Sequence, residues 1–361
     1  MVPLQCLWIY LIQKHIPFAE ACIRVSMRAI DAVFGSLCIV ALGAMVVQIA
    51  WFLTWLVAAV AILFSMNVDF EKGKPTTTDG GSARHALNAQ VIFALFGLLL
   101  SFFWTSQILK NLVHVTVSGV VGVWYFLHPL AMPQGNPVWS SLRRACTTSF
   151  GSIVLGSLVT ATIKALRTTF HLVSSWLRSE ETNCFTLIGL CMIDCLLGMI
   201  EAAVEWINVY AYTYMALYGG GYWESANRSF KLMTSRGLDA VINDDLVSTV
   251  LLVGILGIGG LCAGLAPLLA AQVFTTAGDW RMWVVIGLVL GITVSITILS
   301  IVESAVITLF VCLADDPVVL RQTKQEEYAM LVPLMRLGHP EVDLDTNPQM
   351  EGNRMRGANR V

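Results

Sequence analysis

Residues 32 to 66 form an unbroken run of 35 positions with no charged side chain. Wound as an α-helix at 1.5 Å per residue, such a run reaches about 52 Å. A helix needs only about 20 apolar residues to cross the hydrocarbon of a bilayer. No proline or turn signal divides it, so the expectation is one long, tilted span with Trp51 and Trp55 near one end. A chain that carries this segment has lipid as its main solvent.

Five further apolar runs follow, and together they predict an all-α, polytopic bundle of about six transmembrane helices. The second span starts near Gln90, reaches Lys110, and resumes from His114 to Phe126 as either a long helix with a polar interruption or a broken one. Pro129, Pro133 and Pro137 then stop it. The third covers about 148–173, the fourth 185–218, the fifth 246–273 and the sixth 282–312. Residues 67–88 read as a polar loop. Ahead of the first span, residues 11–30 alternate as an amphipathic helix with Lys14, Glu20, Arg24 and Arg28 on its polar side, suited to a membrane surface. The organisation expected is therefore an interfacial helix within 1–31, a transmembrane domain over 32–313, and a polar, largely disordered tail over 314–361.

Composition agrees. Charged residues make up 13% of the chain and the mean hydropathy is +0.71, whereas soluble domains carry about 25% charge. A net charge of −2 gives no basic field for nucleic acid. The nine cysteines lie mostly inside apolar runs without a CxxC and read as reduced thiols. With the N-terminus placed in the cytoplasm and six alternating spans, 14 of the 22 basic residues fall on the cytoplasmic side. That bias predicts both termini inside.

No HExxH, GxSxG or Walker motif is present, so an enzyme is not expected, and neither a cofactor nor a metal is called for. His114 and His128 lack partners at ligand spacing and read as polar packing residues. The glycines at 257, 259 and 260 lie inside a span; the pairs Gly260/Gly264 and Gly287/Gly291 predict close helix contact. Lys164 and Arg167, late in the third span, are expected to snorkel. Glu303 is the most isolated acid. It sits mid-span, where a carboxylate costs at least about 2.5 kcal/mol, so it is expected to face a polar cavity or a hydrogen-bond partner. Asp194, Glu201 and Glu205 share one helical face and read as a wet side. Aromatic residues cluster beside small ones at Trp124–Tyr125 and from Tyr210 to Tyr218. Rings of this kind hold organic cations as well as forming interfacial belts. Small residues at Ser118–Gly122, Gly151–Ser152 and Gly219–Gly221 suggest interrupted helices, a common setting for transporter sites.

These stretches carry a resemblance. The runs His114–Phe126, Ser149–Leu158, Asn208–Gly219, Ser225–Phe230 and Glu303–Pro317 resemble, in order and spacing, motifs of the choline transporter-like family, especially its fungal, plant and protist branch. They cover most of residues 90–330. The resemblance implies a multi-span protein of the plasma membrane, with a cytoplasmic C-terminus, that moves choline or a similar organic cation. Exchange against protons is one coupling it implies. It further implies that this chain corresponds to the last six spans of a longer family pattern, as a fragment or a short form. On this reading Trp124, Tyr125, Tyr212, Tyr214 and Tyr218 line the cation site, and Glu303 serves as counter-charge or proton carrier. The alternative is a non-transporting scaffold or partner subunit, assembled as an oligomer or with another membrane protein.

Overall fold

The computed structural model describes residues 16–65, 89–127, 135–178, 184–236, 239–273 and 280–338. The proposed loop at 67–88, the first part of the N-terminal helix, Pro129 and Pro133, and residues 339–361 lie outside the described residues. Among the described residues there is no strand. The helices are α1 (Ile16–Ile30), α2 (Phe34–Ser65), α3 (Ala89–Phe126), α4 (Pro137–Cys146), α5 (Phe150–Arg178), α6 (Cys184–Tyr218), α7 (Tyr222–Arg236), α8 (Asp239–Val273), α9 (Trp280–Asp315), α10 (Pro317–Thr323) and α11 (Gln325–Gly338). By length and composition, five stretches can cross a membrane: Pro17–Ile62, Ile92–Phe126, Phe150–Ser175, Val247–Gln272 and Trp280–Asp315. The remaining expected span, α6, is a 35-residue helix that carries Asp194, Glu201 and Glu205.

Helix ends follow the local sequence. Asn136 caps α4 by accepting from Val138 N at 3.0 Å, with Pro137 at the first helical position and Arg143 and Arg144 in the last turn. Asp316 caps α10 in the same way through Val318 N and Val319 N. Gly219 ends α6 at φ +67°, a left-handed conformation that glycine adopts without a Cβ penalty, and its N–H bonds back to Met215 O at 2.9 Å. Of the expected interruptions, only this one divides helices. α3 runs unbroken through Ser118–Gly122. There the glycines admit neighbours: a Cβ on Gly119 would strike Ser141 Oγ of α4, and one on Gly122 would strike Leu217 of α6.

The chain forms two compact units. The first comprises Met1–Leu42, Val113–Ser149 and Tyr210–Val361, and the second Gly43–Leu112 and Phe150–Val209. In the first, α9 packs along α8 and against α1. Gly287 and Gly291 lie directly on Cys262 and Ala266 of α8, and Gly259 lies on Ile292. Gly260 and Gly264 face open space instead. The α8 contact face thus runs through 259, 262 and 266, one residue round from the expected glycine pair. Leu252, Val253, Leu261 and Leu265 on α8 and Val285, Val289 and Leu290 on α9 are exposed, as lipid-facing positions are.

The amphipathic α1 buries Phe18, Cys22, Val25, Ala29 and Ile30. Its neighbours are α8, α9 and α11 of this chain, so protein helices cover its apolar face. The supposed tail departs from expectation. Residues 317–338 are helical, and Leu320, Leu331 and Val332 are buried. The cause is local: an Asp-Pro start for α10 and apolar side chains at helical spacing that dock α11 on α1.

In the second unit, polar groups inside apolar helices are paired. Gln48 Nε2 donates to Ser106 Oγ at 2.8 Å, Trp55 Nε1 to Leu98 O at 2.9 Å, Trp104 Nε1 to Val154 O at 3.1 Å and Asn111 Nδ2 to Ser157 Oγ at 2.9 Å. The charges of α5 and α6 also find one another. Lys164 Nζ is 2.5 Å from Glu205, while Arg167 lies 2.7 Å from Glu201 and 3.4 Å from Asp194. Lys164 and Arg167 therefore do not simply snorkel, and the three acids are not merely a wet face. Gly198 makes room: a Cβ there would be 3.1 Å from the guanidinium of Arg167. Pairing of this kind is what makes charges tolerable at membrane depth.

Candidate functional site

All six sequence-derived candidates lie in the first unit, but they do not form one group. Two clusters are set apart along α9. The first surrounds His114, which is buried on α3. Its Nδ1 is 2.9 Å from Ser304 Oγ on α9, and its Nε2 is 2.9 Å from Thr213 Oγ1 on α6. A neutral imidazole offers one donor and one acceptor, so one hydroxyl gives a proton to the ring and the other receives one. One turn along both helices, Thr308 Oγ1 reaches Ser118 Oγ at 2.9 Å and its own helix at Ser304 O at 2.7 Å. His114, Ser118, Thr213, Ser304 and Thr308 thus tie three long helices by a polar column in an apolar surround. Glu303 stands beside this column on α9 and accepts from Ser248 Oγ of α8 at 3.4 Å. Its hydrogen-bond partner is therefore a serine on the neighbouring helix.

The second cluster sits where α3, α6 and α9 end. The ring of Tyr218 is 4.6 Å from Tyr214 and 6.2 Å from Phe126, which in turn is 5.1 Å from Tyr125. Tyr125 is 0% exposed; its hydroxyl donates to Asp316 O at 2.9 Å, and its carbonyl accepts from Thr323 Oγ1 at 3.3 Å. Tyr218 is 41% exposed and donates its hydroxyl to the carboxylate of Asp315, which is only 8% exposed. Trp124 is half-buried, with the Lys324 ammonium 4.7 Å from its ring centroid. Tyr212 points elsewhere and pairs with Tyr222 of α7 at 6.0 Å. Burial pushes the Tyr222 hydroxyl pKa up, so that group stays protonated.

The acid beside the rings is accordingly Asp315, not Glu303. Twelve residues separate the two, or about 18 Å of helix. Sequence reading passed over Asp315 because it falls at the edge of a span, where charges are ordinary. It passed over Lys324 because that residue lies in a polar segment. The signal for the polar column was present in Ser304, Thr308 and Asp315, which share one face of α9, and in His114 and Ser118 one turn apart on α3. What the second cluster offers is a set of ring faces next to a carboxylate, the chemistry that holds an organic cation.

A bundle of long apolar helices with internally paired polar groups defines a polytopic α-helical membrane protein. The sequence pattern described as plasma-membrane choline transporter matches residues 2–318. The chain therefore belongs to the choline transporter-like family. It is 29% identical to Protein PNS1 of Mycosarcoma maydis over 346 residues, 92% of this chain and 61% of that protein. It is 33% identical to Protein PNS1 of Yarrowia lipolytica over 89% of the chain and 56% of the relative. It is 34% identical to a CTL-like protein of Dictyostelium discoideum over 69% of the chain and 42% of the relative. The chain thus spans roughly three fifths of the length of the fungal relatives it matches.

Proposed function

We propose that this chain provides a path across the plasma membrane for choline or a related small amine, and acts as a transporter, not an enzyme. The observation that carries this reading is the ring cluster at the end of α9. The faces of Tyr214, Tyr218, Phe126 and Trp124 gather near one buried carboxylate, Asp315. A quaternary ammonium cannot donate a conventional hydrogen bond, so ring faces and a nearby anion are the groups that recognise it. Desolvated rings contribute up to about 2 kcal/mol each.

Asp315 supplies the counter-charge in this scheme. Glu303, deeper in α9 and beside the His114 column, is the group suited to carry a proton in exchange. The charge bias of the sequence supports cytoplasmic placement of both termini, and with it of the ring cluster.

The test is uptake of labelled choline by cells that express the chain, compared with Tyr218→Phe, Asp315→Asn and Glu303→Gln. Wild-type uptake that falls in Asp315→Asn supports the reading. Absence of uptake by the wild type refutes autonomous transport. Since the relatives are longer, co-purification with another membrane protein and no amine binding would then identify the chain as a partner subunit.

A further inference from the structure

The ring cluster already has a cation beside it, supplied by the chain itself. Lys324 lies at the junction of α10 and α11 and places its ammonium 4.7 Å from the centroid of Trp124. The segment that brings it there is fastened at each step. Asp315 holds Tyr218. Asp316 O accepts from Tyr125 and its carboxylate caps α10. Thr323 donates to the carbonyl of Tyr125. The N–H of Lys324 bonds to Leu320 O at 2.8 Å, and Leu320 is fully buried. Beyond it, Glu327 lies 3.8 Å from Arg28 of α1, while Leu331 and Val332 dock α11. Residues 315–324 therefore touch Trp124, Tyr125 and Tyr218, three of the aromatic residues assigned to the cation.

We propose that Lys324 is an intramolecular occupant of the cation position on Trp124, and that a substrate cation must displace it. This rests on the reading of the ring cluster as a cation site. Lys324 is a primary ammonium on a flexible four-carbon stem, so it can enter and leave a ring face without movement of the helices that bear the rings. Burial lowers its pKa from the ordinary lysine value, against the opposing pull of Glu327. The seat on Trp124 is thus occupied by a partly desolvated charge that gains from release to water. The segment from Asp316 to Lys324 closes this end of the site while Lys324 is seated, and opens it when a substrate cation takes the ring.

Two measurements on the full chain in lipid nanodiscs test this. The first is choline affinity in wild type, Lys324→Gln and Lys324→Arg. A cation on a part-exposed ring is worth a few-fold in affinity, so Lys324→Gln is expected to bind choline about fivefold more tightly, with Lys324→Arg near wild type. The second is the rate of acylation of Lys324 by a water-soluble active ester, read by mass spectrometry. Choline is expected to speed this modification with a midpoint at its own dissociation constant, and Trp124→Leu to speed it without choline. If wild type binds choline but Lys324→Gln binds it equally well, the proposal is overturned and the transport reading stands. Choline that slows the modification, or leaves its rate unchanged, overturns it as well. If neither wild type nor Lys324→Gln binds choline, the cation-site reading fails and this proposal falls with it.

Discussion

Replacement of His114 by phenylalanine keeps a ring of similar size and removes both cross-helix hydrogen bonds. Ser304 and Thr213 keep hydroxyls that can turn back to the carbonyl one turn earlier in their own helices, as Thr308 does to Ser304 O at 2.7 Å. The cost is therefore the lost bonds and not two stranded polar groups. Inter-helix hydrogen bonds in a membrane protein average about 0.6 kcal/mol and reach about 1.7. Two bonds at 2.9 Å then amount to about 1.2 kcal/mol, and to about 3 at the upper limit. The assay is unfolding in mixed detergent micelles for His114→Phe, Ser304→Ala and the double variant. The expected coupling energy is about 0.6 kcal/mol or more. Ser295 on the same helix, whose hydroxyl bonds to Gly291 O at 2.7 Å, is the control. His114→Phe with Ser295→Ala should be additive within about 0.3 kcal/mol. Equal coupling in both cycles would refute the role of His114 as the tie between α3 and α9.

Other consequences can be measured together. Gly291→Leu drives a side chain into Cys262 and should cost about 1–3 kcal/mol of stability, whereas Gly264→Leu projects into open space and should change thermal unfolding little. Gly198→Leu should displace the Arg167 guanidinium from its carboxylates and lower the thermal midpoint, while Gly189→Leu, with nothing near its Cβ, should not. In uptake assays Tyr218→Phe should raise the KM for choline about three- to tenfold through loss of the bond to Asp315, a charge-assisted hydrogen bond, and Asp315→Asn should raise it further. Glu303→Gln should leave the KM near wild type and flatten the dependence of uptake on a pH gradient.

Spans were legible in the sequence because the constraint that creates them is crude: length and the absence of charge. The uncharged run from 32 to 66 was read as one helix, and α2 is one helix. Pairing across helices was less legible. The glycines at 260 and 264 had the right spacing, yet the contact face of α8 lies one residue round. A helix that is apolar on all sides gives no amphipathic signal from which to choose a face. Lys164, Arg167, Asp194, Glu201 and Glu205 looked like separate exceptions, because a linear reading does not show that two helices bring them together. Trp124 and Tyr125 could be nominated from their motif, but not the Asp315–Lys324 segment laid against them, since the rings and that segment are about 190 positions apart. Glu303 drew attention as the acid furthest from water. Asp315, one more charge at the end of a span, did not.

The hydroxyls of the His114 column share a property that matters for motion. Thr308 has one proton and two acceptors within reach, one in its own helix and one on α3. It can release α3 and still be satisfied within α9. Helices joined by such groups can slide past one another and exchange partners at nearly constant energy, with no bare polar atom turned toward hydrocarbon at any stage. A seam of leucines would have to reseat each knob in a new hole to make the same move. A seam of ion pairs would have to leave charges unpaired on the way. In a protein whose work requires an opening to pass from one face of a membrane to the other, α3 and α9 meet along a surface able to shift register at low friction.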